Sequence, residues 1–330
     1  MANLMVTILG AACAMAIPLT AVGSEAGPLQ LEAKIPLGNV KGRIDHMAAD
    51  VARQRLFVAE LGNDSLGVVD LKARKLASRI AGLKEPQGVG YVASTDTVYV
   101  ANAGDGSVPL FRGEALEPAG RIDLASDADN IRVDAGKQQV LVGFGSGAIA
   151  VIDPSNQTKL ADIPLKAHPE GFQLSDTGQI FVNLPSVQAI GVVDRLSGQE
   201  RTNWPTRNLN GNFPMALDDV AKHVIVAFRD PSRLVVLAMD GGASIAERDT
   251  CGDSDDVFFD GKRQRVYVVC GAGFIDVFNA EGGLYRRLAR IPTVAGARTA
   301  LFIPSLDLLA LGVRASGKEP AAVWLYRATP

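Results

Sequence analysis

The chain is poor in the residues that build reactive centres. Its 330 residues include three cysteines and three histidines. It contains no phosphate-cradling P-loop, no His-Glu-x-x-His, no Cys-x-x-Cys and no haem-attachment Cys-x-x-Cys-His. Gly143-Phe144-Gly145-Ser146-Gly147 puts glycine at the wrong offset for a nucleophile elbow. Gly271-Ala272-Gly273 precedes a strand pattern rather than a helix, so no dinucleotide fingerprint forms. Charge of one sign is also missing: 33 Lys and Arg face 36 Asp and Glu, for a formal net charge of -3. A nucleic-acid partner normally needs a basic stripe, so that class is set aside.

Long apolar runs are absent apart from the first. Leu4 to Val22 is apolar or small throughout, interrupted by Pro18, and no Lys or Arg occurs before Lys34. Ala21-Val22-Gly23 then offers small residues before polar Ser24-Glu25. The pattern reads as a secretory leader over residues 1–23, without the usual basic start, and predicts a periplasmic or secreted protein with no membrane span once the leader is removed. Outside the leader only Cys251 and Cys270 remain, a count that suits one disulfide in an oxidising compartment.

What the chain has in abundance is repetition. Phe57-Val58, Tyr99-Val100, Leu141-Val142, Phe181-Val182, Ile225-Val226, Tyr267-Val268 and Leu309-Ala310 recur at spacings of 42, 42, 40, 44, 42 and 42 residues. Each pair sits in a short β-branched or aromatic run bounded by turn residues, with no helical periodicity. Asp134-Ala135-Gly136-Lys137, Ser175-Asp176-Thr177-Gly178 and Asp260-Gly261-Lys262 read as first turns, with Asp and Gly supplying local hydrogen bonds and positive φ. Third strands close on Asp70, Asp153 and Asp194, and a fourth strand follows, as at Lys159 to Pro164. Seven such units predict an all-β, seven-bladed propeller of four-stranded antiparallel blades, forming a single domain from Leu29 to Tyr326. The last unit, from Thr299, has only three strands, whereas Leu29 to Leu37 looks like a fourth strand with no blade before it. The N-terminal strand is therefore expected to complete the last blade, which removes two exposed edges.

Tyr99-Val100-Ala101-Asn102, with its preceding turn and the Val-Ile-Asp strand ends, resembles the YVTN-repeat β-propellers. These are exported bacterial proteins related in fold to the quinoprotein amine dehydrogenase and cytochrome d1 propellers. The resemblance implies a binding or scaffolding role, and the quinoprotein relatives imply a periplasmic redox partner as one form of it. The copies drift, as in Phe57-Val58-Ala59-Glu60 and Tyr267-Val268-Val269-Cys270.

In a propeller blade the loop entering the first strand and the loop leaving the second share one face. Loops on a rigid scaffold are where function concentrates. Those loops place Asp45, His46, Gln87, Asn130, Glu170, Asn183, Arg229, Asp256 and Arg298 around the channel mouth. Asp129, His168, Asp255, Phe144, Phe213 and Arg314 share the same loops. This polar ring suits a small ligand or a protein partner on a monomeric propeller. No cofactor motif is present. Calcium is open as a ligand of the acids, although Asp253-Ser254-Asp255-Asp256 lacks the spacing of a helix-loop-helix calcium loop and a surface acidic cluster is the commoner explanation. The alternative class is a metal-dependent propeller hydrolase, lactonase or lyase. It requires three or four ligands converging on one point, which linear sequence does not display. His46 and His168 belong to blades one and four, which argues against joint ligation, and His223 falls in a turn on the far face.

Overall fold

The computed structural model describes residues 27–317 and 319–330, together with Met1, Ala2 and Leu4. Nearly all of the leader predicted over residues 1–23 lies outside the described residues. No helix among them is long and apolar enough to cross a membrane.

Seven four-stranded antiparallel sheets form the molecule. Blade 3 shows the common plan: Ala128–Asp134 innermost, then Gln139–Phe144, Ala148–Asp153 and Thr158–Pro164. The second strands (Arg55–Glu60, Thr97–Asn102 and their counterparts) alternate β-branched and aromatic residues and are almost wholly buried. Both faces of such a strand are covered, one by each neighbouring blade. The apolar residues accordingly gather into seven clusters, each shared between adjacent blades. Fourth strands alternate polar and apolar residues and stay largely exposed, as in Lys75–Ala81.

The turns have a repeated chemistry. Oδ1 of Asp70, Asp153 and Asp194 accepts backbone N–H bonds from Ala73 (2.7 Å), Ser155 (2.8 Å) and Ser197 (2.8 Å). These Asx-type turns explain why third strands end in aspartate. First turns use the same device, with Lys137 donating to Asp134 at 3.0 Å and Lys262 to Asp260 at 3.1 Å. Here the expectation about glycine is corrected in part. Gly178 has φ 79°, but in two other turns the left-handed position falls to Gln138 (φ 50°) and Gln264 (φ 51°) rather than Gly136 or Gly261. The aspartate bond anchors the head of the turn, and the last residue takes up the reversal.

The ring closes with its two ends interlocked. Leu29–Gly38 pairs antiparallel with Ala321–Ala328 and forms the outermost strand of the blade that contains Ala300–Ile303 and Leu308–Val313. Ile35 and Leu37 of this strand are fully buried in the cluster shared with blade 1, and Leu29 lies in the cluster shared with blade 6. Polar contacts reinforce the seam. Arg327 forks onto Glu32 at 2.7 and 3.0 Å, and Thr329 Oγ1 donates to the Gly27 carbonyl at 2.7 Å.

Deleting Leu29–Leu37 removes the burial of Ile35 and Leu37, about 3–6 kcal/mol for those two side chains alone, and bares a new strand edge. Calorimetry of the truncated protein should show a fall of about 10 °C or more in melting temperature. An unchanged melt would contradict closure by this strand.

Candidate functional site

The inner strands enter the channel from one face, and their first residues form its mouth. Regular β pairing would turn alternate side chains away from the channel. Four inner strands break that alternation at the same level, with register irregularities between Pro86 and Gly88, Ala128 and Ile131, Asn212 and Met215, and Ser254 and Asp256. A β-bulge re-aims the side chains beside it. Gln87, Asp129, Asn130, Phe213 and Asp255 all sit in these bulges.

Two connected hollows result. The mouth encloses about 300 Å³, and a deeper cavity of about 370 Å³ continues down the channel, with His46, Glu170, Phe213 and Asp255 lining both. Every blade contributes to the mouth. Of the predicted residues, Asp45, His46, Gln87, Glu170, Arg229 and Arg298 line the mouth, while Asn130 and Asp256 line the deeper cavity. Asn183 reaches neither. Its fully buried side chain donates to the carbonyls of Phe213 and Pro214, both at 3.1 Å, and so positions the Phe213 ring at the mouth.

Most of the mouth's charges neutralise one another. Arg43 Nε donates to Asp45 Oδ2 at 2.9 Å, and its Nη2 reaches Gln87 Oε1 at 3.2 Å. Arg229 pairs with Asp255 and stacks on Phe213, 3.9 Å from guanidinium to ring centroid. Arg298 bridges Asp253 at 2.8 Å and Asp255 at 2.9 Å. His46 stands between Asp45 Oδ1 (3.7 Å from Nε2) and Asp256 Oδ2 (3.8 Å from Nδ1). His168 Nδ1 lies 2.6 Å from the Gly145 carbonyl, and its Nε2 lies 4.0 Å from Asp129 Oδ2. The two histidines thus line one mouth, each held by its own carboxylates. His223 is remote, with Nδ1 2.7 Å from the Tyr285 hydroxyl.

This crowding of buried acids keeps the site rich in protons. Burial, then the Asp129 charge, pushes Glu170 up to about 7. Burial pushes Asp256 up to about 7 against the pull of His46. His168 is raised to about 9, chiefly by Asp129. Burial lowers the His46 imidazolium, but Asp45 and Asp256 outweigh it and the net direction is upward.

Sequence reasoning alone misses Arg43 and Arg132. Arg132 belongs to the inner strand of blade 3 and lines the deeper cavity. A charged residue in the most enclosed strand of the blade was the available signal. Among the described residues, no three His, Cys, Asp or Glu side chains group as metal ligands. The convergence that a metal-dependent reaction needs is therefore not found in them.

Cys251 and Cys270 form a disulfide, with Sγ atoms 2.02 Å apart. Just beyond it, the Gly271 N–H donates to the Asp253 carbonyl at 2.8 Å. The bridge thus clamps the segment that carries Asp253, Asp255 and Asp256 into the mouth.

No family model matches the sequence, and comparison with curated proteins finds no match. Among solved structures the chain is similar to one from Kuenenia stuttgartiensis hydrazine synthase. The identity is 16% and the TM-score 0.73, over 84% of this chain and 98% of that one. That likeness shows the propeller fold.

Glu170 and Asp256 hold their protons more tightly folded than unfolded. Their contribution to stability is complete below the ordinary carboxyl range and fades as pH rises through about 7. The Glu170→Gln/Asp256→Asn variant should therefore gain on wild type by about 2–4 °C in melting temperature between about pH 5 and about pH 8. A difference that does not change with pH would contradict the shifts. Separately, replacing Cys251 and Cys270 by alanine should cost about 3 kcal/mol, read by urea denaturation. A loss below about 1 kcal/mol would show that the clamp contributes little.

Proposed function

We propose that this chain is a binding protein that takes a small polar molecule at the mouth of its channel and releases it unchanged. One observation carries the reading. Polar side chains from all seven blades, ionisable in six of them, converge on one hollow, and there Asp129, 5% exposed, holds Oδ1 without a hydrogen-bond partner. A buried carboxylate oxygen with no donor costs free energy in the empty protein, and a ligand that supplies one recovers it. The aromatic face of Phe213 and the paired arginines beside it add a recognition surface.

The apolar stretch from Leu4 to Val22 supports export, and Tyr99-Val100-Ala101-Asn102 supports membership of the YVTN-repeat propellers. On this reading the protein works as a periplasmic or secreted monomer. A protein partner docked over the mouth would use the same face. An enzymatic reading, as a propeller lyase or hydrolase, has one observation in its favour: two carboxyl groups, Glu170 and Asp256, titrate near neutrality and could exchange protons with a substrate.

Calorimetric titration with a panel of small polar molecules (amino acids, organic acids, amines and sugars) tests the proposal. It should find a one-to-one binder whose affinity falls about tenfold or more in Asp129→Ala. The ligand should be recovered unaltered after prolonged incubation. Conversion of the ligand would favour the enzymatic reading, and the absence of any binder would reject small-molecule capture.

A further inference from the structure

Once the ion pairs of the mouth are drawn, two ionisable side chains in the cavity remain without partners among the described residues. Arg132 is one. Its Nη1 donates to the carbonyl of Ile131, its own neighbour, at 2.8 Å, and no other acceptor is found for it among the described residues. A guanidinium carries five N–H donors, so most of this one's capacity is unused. Its nearest influential carboxylates, Asp256 and Asp129, act only through space, and burial outweighs them. Phe172 backs the guanidinium at 5.3 Å and keeps it facing its cavity.

Glu170 is the other. Its backbone N–H is bound to the Asn183 carbonyl at 3.0 Å, which fixes the main chain. Its carboxyl group accepts no hydrogen bond and joins no ion pair among the described residues, and burial dominates its environment. Arg132 and Glu170 come from neighbouring blades and line the same cavity of about 370 Å³. Neither ranks among the principal charges acting on the other. The cavity thus keeps a cation and a carboxyl group that titrates near neutrality apart, although other blades of this chain pair such groups readily, as Arg79 does with Glu60 at 2.6 Å.

Leaving two such half-buried groups unpaired is costly unless something bridges them, and a cation beside Glu170 would favour its ionised form. The complement is a molecule that carries one charge of each sign and no net charge. We infer that the cavity binds a small zwitterionic amino acid, its carboxylate on Arg132 and its ammonium on Glu170. The planar fork of Arg132 suits bidentate capture of a carboxylate. An ammonium has three donors, enough for Glu170 and for the vacant Oδ1 of Asp129. Below these groups Tyr91 and Phe258 line the cavity and would meet an apolar side chain. This inference rests on the small-molecule reading and narrows its ligand class.

The test uses titration calorimetry on the full chain with an amino-acid panel. The best binder is then compared with its two truncated analogues, the acid lacking the amino group and the amine lacking the carboxylate. Wild type should bind the amino acid about tenfold or more tightly than either analogue. In Arg132→Gln the amino acid and the amine should bind alike. In Glu170→Gln the amino acid and the acid should bind alike. Each variant removes an unpaired charge rather than creating one, and a thermal melt confirms folding; Arg132→Lys, which keeps the charge but loses the fork, should show an intermediate loss. An analogue that matches the amino acid in wild type would overturn the inference, as would variants that leave the discrimination intact. If another class of molecule binds and no amino acid does, this inference fails while small-molecule capture stands. If nothing binds, both fail.

Discussion

The pairing of Leu29–Gly38 with Ala321–Ala328 is the constraint on which the rest of the molecule depends. Each blade buries its apolar faces only against its two neighbours, and a ring of such contacts is continuous only when the last blade meets the first. Blade 7 takes its inner three strands from one end of the chain and its outer strand from the other. Ile35 and Leu37 then fill the cluster against blade 1, and the Thr299 hydroxyl, donating to the Ile44 carbonyl at 3.0 Å, ties the two blades together beside the mouth. The segment around Ile44 also carries Arg43, Asp45 and His46. The seam that closes the ring is therefore the seam that places three of the mouth's ten ionisable side chains.

A closed ring explains why so many ionisable groups are tolerated in one place. Seven entry loops arrive at a narrow circle, and their polar ends have nowhere else to go. Burial penalises unpaired charge there, so acids find a cation, as Asp45 and Asp255 do, or retain a proton towards neutrality, as Glu170 and Asp256 do. The remaining unpaired groups, Arg132 and the Asp129 oxygen, mark where the self-neutralising network stops and a ligand can begin.

The sequence made the architecture legible because a repeated strand must look alike each time it is packed between two blades. The pitch of about forty residues, the turn aspartates and the orphan strand at Leu29 carried the blade count and the mode of closure. The membership of the mouth was legible more coarsely. Loop position placed Asp45, His46, Gln87, Glu170, Arg229 and Arg298 at the mouth, because the topology alone decides which loops share a face. It could not show that bulges at Gln87, Asn130, Phe213 and Asp255 rotate neighbouring side chains, since a bulge adds one residue without a fixed sequence mark. Loop position alone puts Asn183 on the rim, yet its side chain turns inward to hold two carbonyls. Arg132 carries no such mark, because it lies within a strand, below the loop residues that topology assigns to the mouth.

Native-state hydrogen exchange on the full chain addresses the central claim most directly. Amides of Leu29–Gly38 that donate into Ala321–Ala328 should exchange only through global unfolding, with the same free energy as the buried second strands such as Thr97–Asn102. Exchange of that segment well ahead of those strands, in the manner of a fraying end, would contradict a ring held shut by its first strand.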